Sequence, residues 1–216
     1  MPRILMLSAA VLALTGTAHS APPAYTAHIT NRWFPLEPGS RYVYTGIKDG
    51  QRSREVLTVT HRTVTIAGKP CAVIDDRLFL AGRLGERTTD WYTQDAQGNV
   101  WYYGEQTATL DRRGHVTSTS GTWRAGVAGA QPGIYMPARP RVGQSGRQEY
   151  YKGEAEDHFK VLSLLGRNAL LTQEWSPLEP GVIDHKLYVL GIGVVLEQSE
   201  RGGNERNELI SFSRRS

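Results

Sequence analysis

Short segments with the composition of β-strands recur along the whole chain, and turn-forming residues separate them. The segments concentrate Val, Ile, Thr, Tyr and Trp, which is typical of strands. Their spacing suits hairpin loops of about two to five residues and leaves no room for the helices that connect parallel strands. They are residues 41–47, 55–66, 71–81, 87–94, 99–104, 147–152, 185–190, 193–198 and 208–212. We therefore predict an all-β fold built on a single antiparallel sheet.

The sheet is expected to be strongly curved or barrel-like. Within the segment 55–66 the apolar residues Val59 and Val64 lie five positions apart, which is an odd separation. Because side chains alternate between the faces of a strand, this separation predicts a β-bulge or bend near His61-Arg62. The segment 155–165 fits both a strand and a short helix, and we favour a strand because its neighbours are strand-like.

The stretch from Gly121 to Gly146 is less regular. It is rich in proline and glycine, yet it carries the large side chains of Trp123 and Tyr135. Irregular loops of this length that carry apolar residues usually pack over a core or have a function. We expect this segment to be a long loop that covers one end of the barrel.

The first twenty residues have the order of a secretory signal peptide. Arg3 is followed by an uncharged apolar run from Ile4 to Leu14, and small residues precede the predicted cleavage after Ser20. The run is too short for a transmembrane helix, and no cysteine follows it that could carry a lipoprotein anchor. Residues 1–20 are thus predicted to be removed, leaving 21–216 as one domain in the periplasm or outside the cell.

The charge balance gives no sign of a nucleic-acid-binding protein. The formal net charge is +4, and the arginines are scattered beside turns instead of forming a basic face. Cys71 is alone, so an exported chain would have no internal disulfide, and its apolar surroundings predict a buried side chain. We expect no nucleic acid among the partners.

One predicted hairpin, residues 90–105, is unusually rich in aromatic residues. Alternation places Asp90 and Tyr92 on one face and Trp91 on the other. The rings can stabilise a curved sheet through cross-strand pairs, or they can line a ligand cavity. The candidate ligand-binding residues are Asp90, Trp91, Tyr92, Trp101, Tyr103, Trp123 and Tyr135.

A second group of residues could carry acid–base chemistry. Glu149, Asp157, His158 and His185 supply two carboxylates and two imidazoles, the groups used by general acids and bases. No metal-binding, nucleophile-elbow, phosphate-loop or dinucleotide motif accompanies them. We therefore predict no metal and no cofactor.

Three motifs resemble those of a family of exported bacterial proteins of unassigned function. They are DWYxQDxxGNVWYxGE from Asp90, AQPGIxMP from Ala130 and QEYYxGxAED from Gln148. The segment from Leu187 to Val195 is similar to the closing hairpin of curved-sheet lipoprotein carriers. The first resemblance implies export without implying an activity, and the second implies a curved-sheet architecture.

These observations favour a periplasmic or secreted binding protein over an enzyme. Its ligand would be an apolar or aromatic-compatible small molecule or a lipid, held in a concave cavity. Two alternatives stay open: an exported hydrolase or metal-dependent enzyme that uses the Glu/Asp/His group, and a protein-interaction module of the cell envelope. The sequence leaves the oligomeric state open.

Overall fold

The structure is a computed structural model, and it describes residues 24–214. The predicted signal peptide, residues 1–20, lies outside the described residues. Sixteen strands form one antiparallel sheet, and the described residues contain no helix. The strands are β1 (Tyr25–Thr26), β2 (Arg41–Lys48), β3 (Gln51–Ile66), β4 (Lys69–Leu80), β5 (Arg83–Asp95), β6 (Val100–Leu110), β7 (Val116–Ser118), β8 (Trp123–Arg124), β9 (Gln131–Met136), β10 (Ser145–Arg147), β11 (Glu149–Tyr150), β12 (His158–Leu165), β13 (Ala169–Trp175), β14 (Ile183–Val189), β15 (Gly193–Arg201) and β16 (Arg206–Ser213). The predicted all-β fold with a single antiparallel sheet is confirmed.

The sheet curls until its two ends meet. Its order is β10-β12-β13-β14-β15-β16-β2-β3-β4-β5-β6-β9-β11. The terminal strands β10 and β11 are consecutive in the chain, with Gln148 between them. On one side β10 pairs with β12, and the backbone N–H of Gln148 extends this edge by donating to the carbonyl of Asp157 at 2.8 Å. On the other side β11 pairs with β9. The sheet is therefore nearly closed and barrel-shaped.

Two local predictions from the sequence are confirmed. The pairing of β3 with β4 changes register between Val59 and Thr63, where the bulge near His61-Arg62 was expected. The ambiguous segment 155–165 contains the strand β12 and no helix. Bulges bend a strand and increase its twist, and both effects help a sheet to close.

The segment 121–146 differs from the expected covering loop, because it contributes β8, β9 and the start of β10 to the barrel wall. Strand β9 lies between β6 and β11. A Cβ atom at Gly133 would overlap the backbone of Arg147 and Gln148, so glycine allows β9 to approach this segment closely. Gly133 is one of the glycines that favoured a loop in the sequence, and it is needed for a close contact between strands.

One end of the barrel is closed by the chain that leads into β2. The Asn31 side chain donates to the carbonyls of Gly98 and Pro137, at 2.9 and 3.2 Å, and the Arg32 carbonyl accepts from the Gly191 N–H at 2.7 Å. Gly98, Pro137 and Gly191 lie in connections between strands, and these connections are at the same end of the sheet. Phe34 enters the barrel there and packs against the ring of Tyr135, with 4.6 Å between ring centroids.

The opposite end, where the β2–β3, β4–β5 and β15–β16 connections lie, is the open mouth. In residues 24–214 there is no helix with the length and apolar character needed to cross a bilayer.

Candidate functional site

A band of carboxylates lines the inside of the barrel. Strand alternation places these side chains on the same face as buried residues such as Ile74, Tyr92 and Leu170. Each carboxylate comes from a different strand, and together they are called the acidic band: Glu55, Asp76, Asp90, Glu105, Glu149, Glu174 and Glu197. The barrel therefore has a charged layer where a closed sheet would ordinarily be filled by apolar side chains.

Lys186 on β14 is the cation within this layer. Its Nζ lies 2.8 Å from Glu174 Oε2 and 3.3 Å from Glu197 Oε1. Burial alone would lower the pKa of Lys186, but the two carboxylates outweigh it and raise the pKa well above its usual value. Lys186 thus stays charged, and both of its ion-pair partners belong to the acidic band.

The band members Asp76, Asp90, Glu105 and Glu149 have a raised pKa and hold protons more tightly than carboxylates in water. Burial is the main cause, and neighbouring carboxylates add to it. The pKa of Asp90 is raised to about 7, although the Tyr102 hydroxyl opposes the shift by donating to Asp90 Oδ1 at 2.6 Å. The pKa of Glu149 is raised to about 8 by burial and by Asp157, and that of Glu105 to about 9 by burial and by Asp90. The band is therefore partly protonated at neutral pH.

Some carboxylate oxygens of the band accept hydrogen bonds, while four buried side-chain atoms of the described residues have no partner: Ser40 Oγ, Asp76 Oδ1, Gln148 Nε2 and Asn207 Oδ1. The Trp123 indole donates to Glu149 Oε2 at 2.7 Å, and the Asn207 amide donates to Glu55 Oε2. In contrast, Asp76 Oδ1 and Asn207 Oδ1 are buried and have no hydrogen-bond partner among the described residues. A buried acceptor without a donor is costly, so this part of the wall is suited to receive one.

Two cavities of about 160 Å³ each meet at these residues. The mouth cavity opens at the uncovered end of the barrel, and the inner cavity lies deeper. Both are lined by Glu55, Asp76, Glu197 and Asn207. The mouth cavity also contacts Lys48, Ser53, Glu86, Asp184, Ser199, Glu205 and Arg206, and the inner cavity contacts Phe34, Tyr44, Leu57, Asp90, Tyr92, Tyr135, Lys186 and Val194. The path from the mouth thus runs past carboxylates to an aromatic interior.

Some of the candidate ligand-binding residues meet inside the barrel. Asp90, Tyr92 and Tyr135 line the inner cavity. Trp123 is buried beside them, with its ring perpendicular to that of Tyr102 at a centroid distance of 5.5 Å. Tyr102 also stacks on Tyr92 at 4.6 Å, although the sequence did not single it out as a ligand-binding candidate.

The other three candidates lie on the outer face of the sheet. The Arg124 guanidinium covers Trp91 at 5.6 Å from the ring centroid. The Trp101 indole donates to Asp95 Oδ2 at 2.8 Å, and Tyr103 packs edge-on against Tyr25 at 6.5 Å. The aromatic hairpin therefore supplies both an inner and an outer cluster of rings, and only the inner one reaches the cavities.

The four residues proposed for acid–base chemistry do not form one cluster, although Asp157 is near enough to Glu149 to raise the pKa of that carboxyl. Glu149 faces the interior, whereas His158 stacks on Trp175 on the outer face, at a centroid distance of 5.5 Å. His185 points away from the cavities as well, with its Nδ1 3.7 Å from Glu200 Oε2, and Asp157 is exposed. Within residues 24–214 no three histidine, cysteine or carboxylate side chains are arranged to hold a metal ion. A catalytic role for these four residues stays a prediction.

The acidic band was missed by sequence reasoning, although part of its signal was present. Asp76 lies two residues after Ile74, and Asp90 lies two residues before Tyr92, so each carboxylate shares a face with a large buried side chain. Such positions mark polar residues that point inward. Strand pairing, which the sequence does not reveal, is needed to show that they form one layer.

Comparison with known proteins gives little similarity. No protein-family model and no curated protein matches the chain. Among solved structures, the chain is similar to a crystal structure from Parabacteroides distasonis that is described as a "putative lipoprotein". The two share 10% sequence identity with a TM-score of 0.42, and the match covers 85% of this chain and 99% of that one. The functional proposal below therefore rests on this chain's own residues.

Proposed function

We propose that this chain is an exported binding protein that holds a small molecule inside its barrel. The observation that carries the proposal is the pair of cavities that share Glu55, Asp76, Glu197 and Asn207. Binding sites are typically preformed concavities with apolar or aromatic walls and a few polar groups that fix orientation. The inner cavity combines an aromatic and apolar wall with an equally large polar and charged one, and the mouth gives a ligand access to it.

The size and walls of the inner cavity limit the ligand. A cavity of roughly 150 Å³ lined by apolar side chains holds a molecule as large as benzene. The inner cavity has about this volume, and Phe34, Tyr92 and Tyr135 contribute three of its walls. The ligand is therefore a small molecule with a flat or aromatic body, and part of it extends toward the acidic wall that the two cavities share.

Native mass spectrometry of the protein purified from its own host tests this proposal. We expect the wild type to carry a noncovalent ligand that collisional activation removes. Ser53 lies on the inner face of β3 and lines the mouth cavity, so the larger side chain of Ser53→Phe should fill the space and abolish the added mass. Arg54→Phe, one residue away on the exposed face, is the matched control and should retain the ligand.

Two results would count against a binding role. One is a wild-type protein whose mass equals that of the bare chain at every activation energy. The other is a ligand that stays bound to S53F, because it would then sit outside the cavities. Circular dichroism of both variants establishes that the sheet is intact.

We further propose that residues 1–20 direct export and are cleaved, leaving 21–216 as a single domain in the periplasm or the medium. The charged start, apolar run and small residues before Ala21 support this proposal. Expression of the full chain in a bacterium, followed by intact-mass analysis of the extracytoplasmic fraction, should give a product that begins at Ala21. Recovery of the chain only from the cytoplasm with Met1 or Pro2 at its start would contradict export.

A further inference from the structure

The charges along the two cavities are unbalanced once existing ion pairs are considered. Lys48 pairs with Glu205 at 3.2 Å, Arg206 pairs with Glu208 at 2.9 Å, and Lys186 is held by Glu174 and Glu197. Every cation that lines the cavities therefore has a carboxylate partner already. Five lining carboxylates have no ion pair among residues 24–214: Glu55, Asp76, Glu86, Asp90 and Asp184. Burial and neighbouring carboxylates raise the pKa of Asp76 and Asp90, so part of this wall is protonated, and it presents carboxyl groups that no cation of the described residues balances.

Two buried oxygens identify where a donor is missing. Asp76 Oδ1 and Asn207 Oδ1 have no hydrogen-bond partner, and both side chains line the mouth cavity and the inner cavity. Glu55, which accepts from the Asn207 amide, lines the same two cavities. A group with several N–H donors and a positive charge would satisfy these acceptors through charge-assisted hydrogen bonds. An ammonium group has this chemistry, since it carries three donors.

The aromatic wall next to these acceptors suits the rest of such a molecule. Tyr92 and Tyr135 line the inner cavity together with the residues that it shares with the mouth. An aromatic ring packs well against other aromatic rings, and tyrosine rings also attract a nearby cation. An anionic group would instead meet the excess carboxylates, and a neutral alcohol would supply one donor in place of three.

We propose that the ligand of the barrel is a small organic cation, a primary amine with an aromatic body, whose ammonium group binds at Asp76, Glu55 and Asn207. This inference rests on the proposed binding function and names its ligand class. The amine enters through the mouth, its ring fills the inner cavity, and its nitrogen donates to the unpartnered oxygens. Carboxylates that were protonated in the empty barrel release protons when the cation replaces them.

Isothermal titration calorimetry with three matched probes tests the proposal. The probes are 2-phenylethylamine, 2-phenylethanol and 3-phenylpropanoate, titrated into the ligand-stripped protein at pH 7. We expect the amine to bind about tenfold or more tightly than the alcohol, because a hydrogen bond to a charged group is worth more than a neutral one. The carboxylate probe should bind most weakly. Repeating the amine titration in buffers of different ionisation enthalpy should show net proton release.

Asp76→Asn and Asp75→Asn form the matched pair of variants. Asp75 is adjacent in sequence but faces outward, where it pairs with Arg62 at 2.7 Å. D76N should lose about tenfold or more of the amine affinity and reduce the proton release, while its affinity for the alcohol is retained. D75N should bind the amine as the wild type does. Thermal unfolding followed by circular dichroism checks that both variants are folded.

The outcomes separate the ligand class from the binding function. Preference for the alcohol or the carboxylate would overturn the cationic ligand and leave the proposed binding function standing. An unchanged amine affinity in D76N would overturn the assigned site. Failure of all three probes to bind would also overturn the inference, and the comparison of S53F with R54F by native mass spectrometry then decides separately whether the barrel binds any ligand.

Discussion

Removing the interior lysine should destabilise the barrel strongly. The variant Lys186→Met keeps the length and apolar stem of the side chain and deletes the ammonium that lies 2.8 Å from Glu174. Glu174 is buried, with 7% of its surface exposed, so its charge would have no cation to balance it. Breaking a buried ion pair by deleting one partner typically costs about 3–5 kcal/mol. We expect the lower end, about 3 kcal/mol, because the hydroxyls of Thr172 and Tyr188 still donate to Glu174 at 3.2 Å.

Urea unfolding at pH 7, followed by circular dichroism, measures this loss. For a domain of this size, each kcal/mol lowers the melting temperature by roughly 2–4 °C, so K186M should melt about 6–12 °C below the wild type. The double variant K186M/E174Q removes the lysine and the more buried of its two partners and should recover most of the loss, because Glu197, the partner that keeps its charge, is 40% exposed. Lys160→Met, at an exposed position on β12, is the control and should change the free energy of unfolding by less than about 0.5 kcal/mol.

Two results would refute this reasoning. A loss of less than about 1 kcal/mol in K186M would mean that the interior solvates Glu174 without the lysine. A double variant as unstable as K186M would assign the loss to the packing of the lysine stem, not to the unpaired charge.

Two further predictions concern the acidic band and Gly104 on β6. Asp90 has a pKa of about 7 in the folded chain against roughly 3.9 when unfolded, so between these values the folded state binds more protons. The free energy of unfolding should therefore fall as pH rises from about 4 to 7, by at most about 1.4 kcal/mol per pH unit for this group, and urea titrations of D90N should show a flatter dependence. Gly104→Ala should cost more than about 2 kcal/mol, since Gly104 has φ of 131° and a Cβ there would overlap the Trp123 carbonyl. Gly114→Ala, at φ of 85° in open space, should cost about 1 kcal/mol, and equal losses at both glycines would contradict the packing argument.

Local features of the fold could be predicted from the sequence because they depend on neighbouring residues. Period-two alternation and turn residues located the long strands, and the odd spacing between Val59 and Val64 located the β3 bulge. Closure of the barrel could not be predicted in this way. It requires that both edges of residues 145–150 are used, by β12 on one side and by β9 on the other, and these pairings are non-local.

The aromatic hairpin shows how far sequence reasoning reaches the candidate site. Alternation places Tyr92 and Trp91 on opposite faces, as in the structure, and of the two only Tyr92 lines the inner cavity. On β6 a register shift follows Tyr102, so Tyr102 and Glu105 both face inward despite their odd separation. Gly104 follows this bulge, and a Cβ there would overlap the Trp123 backbone. Regular alternation therefore does not predict the side-chain direction beyond Tyr102.

The acidic band is difficult to explain as a device for folding alone. Replacing buried ionic groups by packed apolar side chains is often neutral or stabilising, so a barrel filled by Leu and Ile would fold at least as well. Lys186 compensates Glu174 and Glu197, whereas Asp76 has no cationic partner: burial and Glu55 raise the pKa of Asp76 well above its usual value, and its Oδ1 has no hydrogen-bond donor among the described residues. A cost of this kind is offset only when something supplies the missing donor. Asp76 faces both cavities, which connect it to the open mouth, so the donor can come from outside the chain. The two residues therefore have different roles in this proposal: Lys186 stabilises the barrel, and Asp76 is available to a ligand.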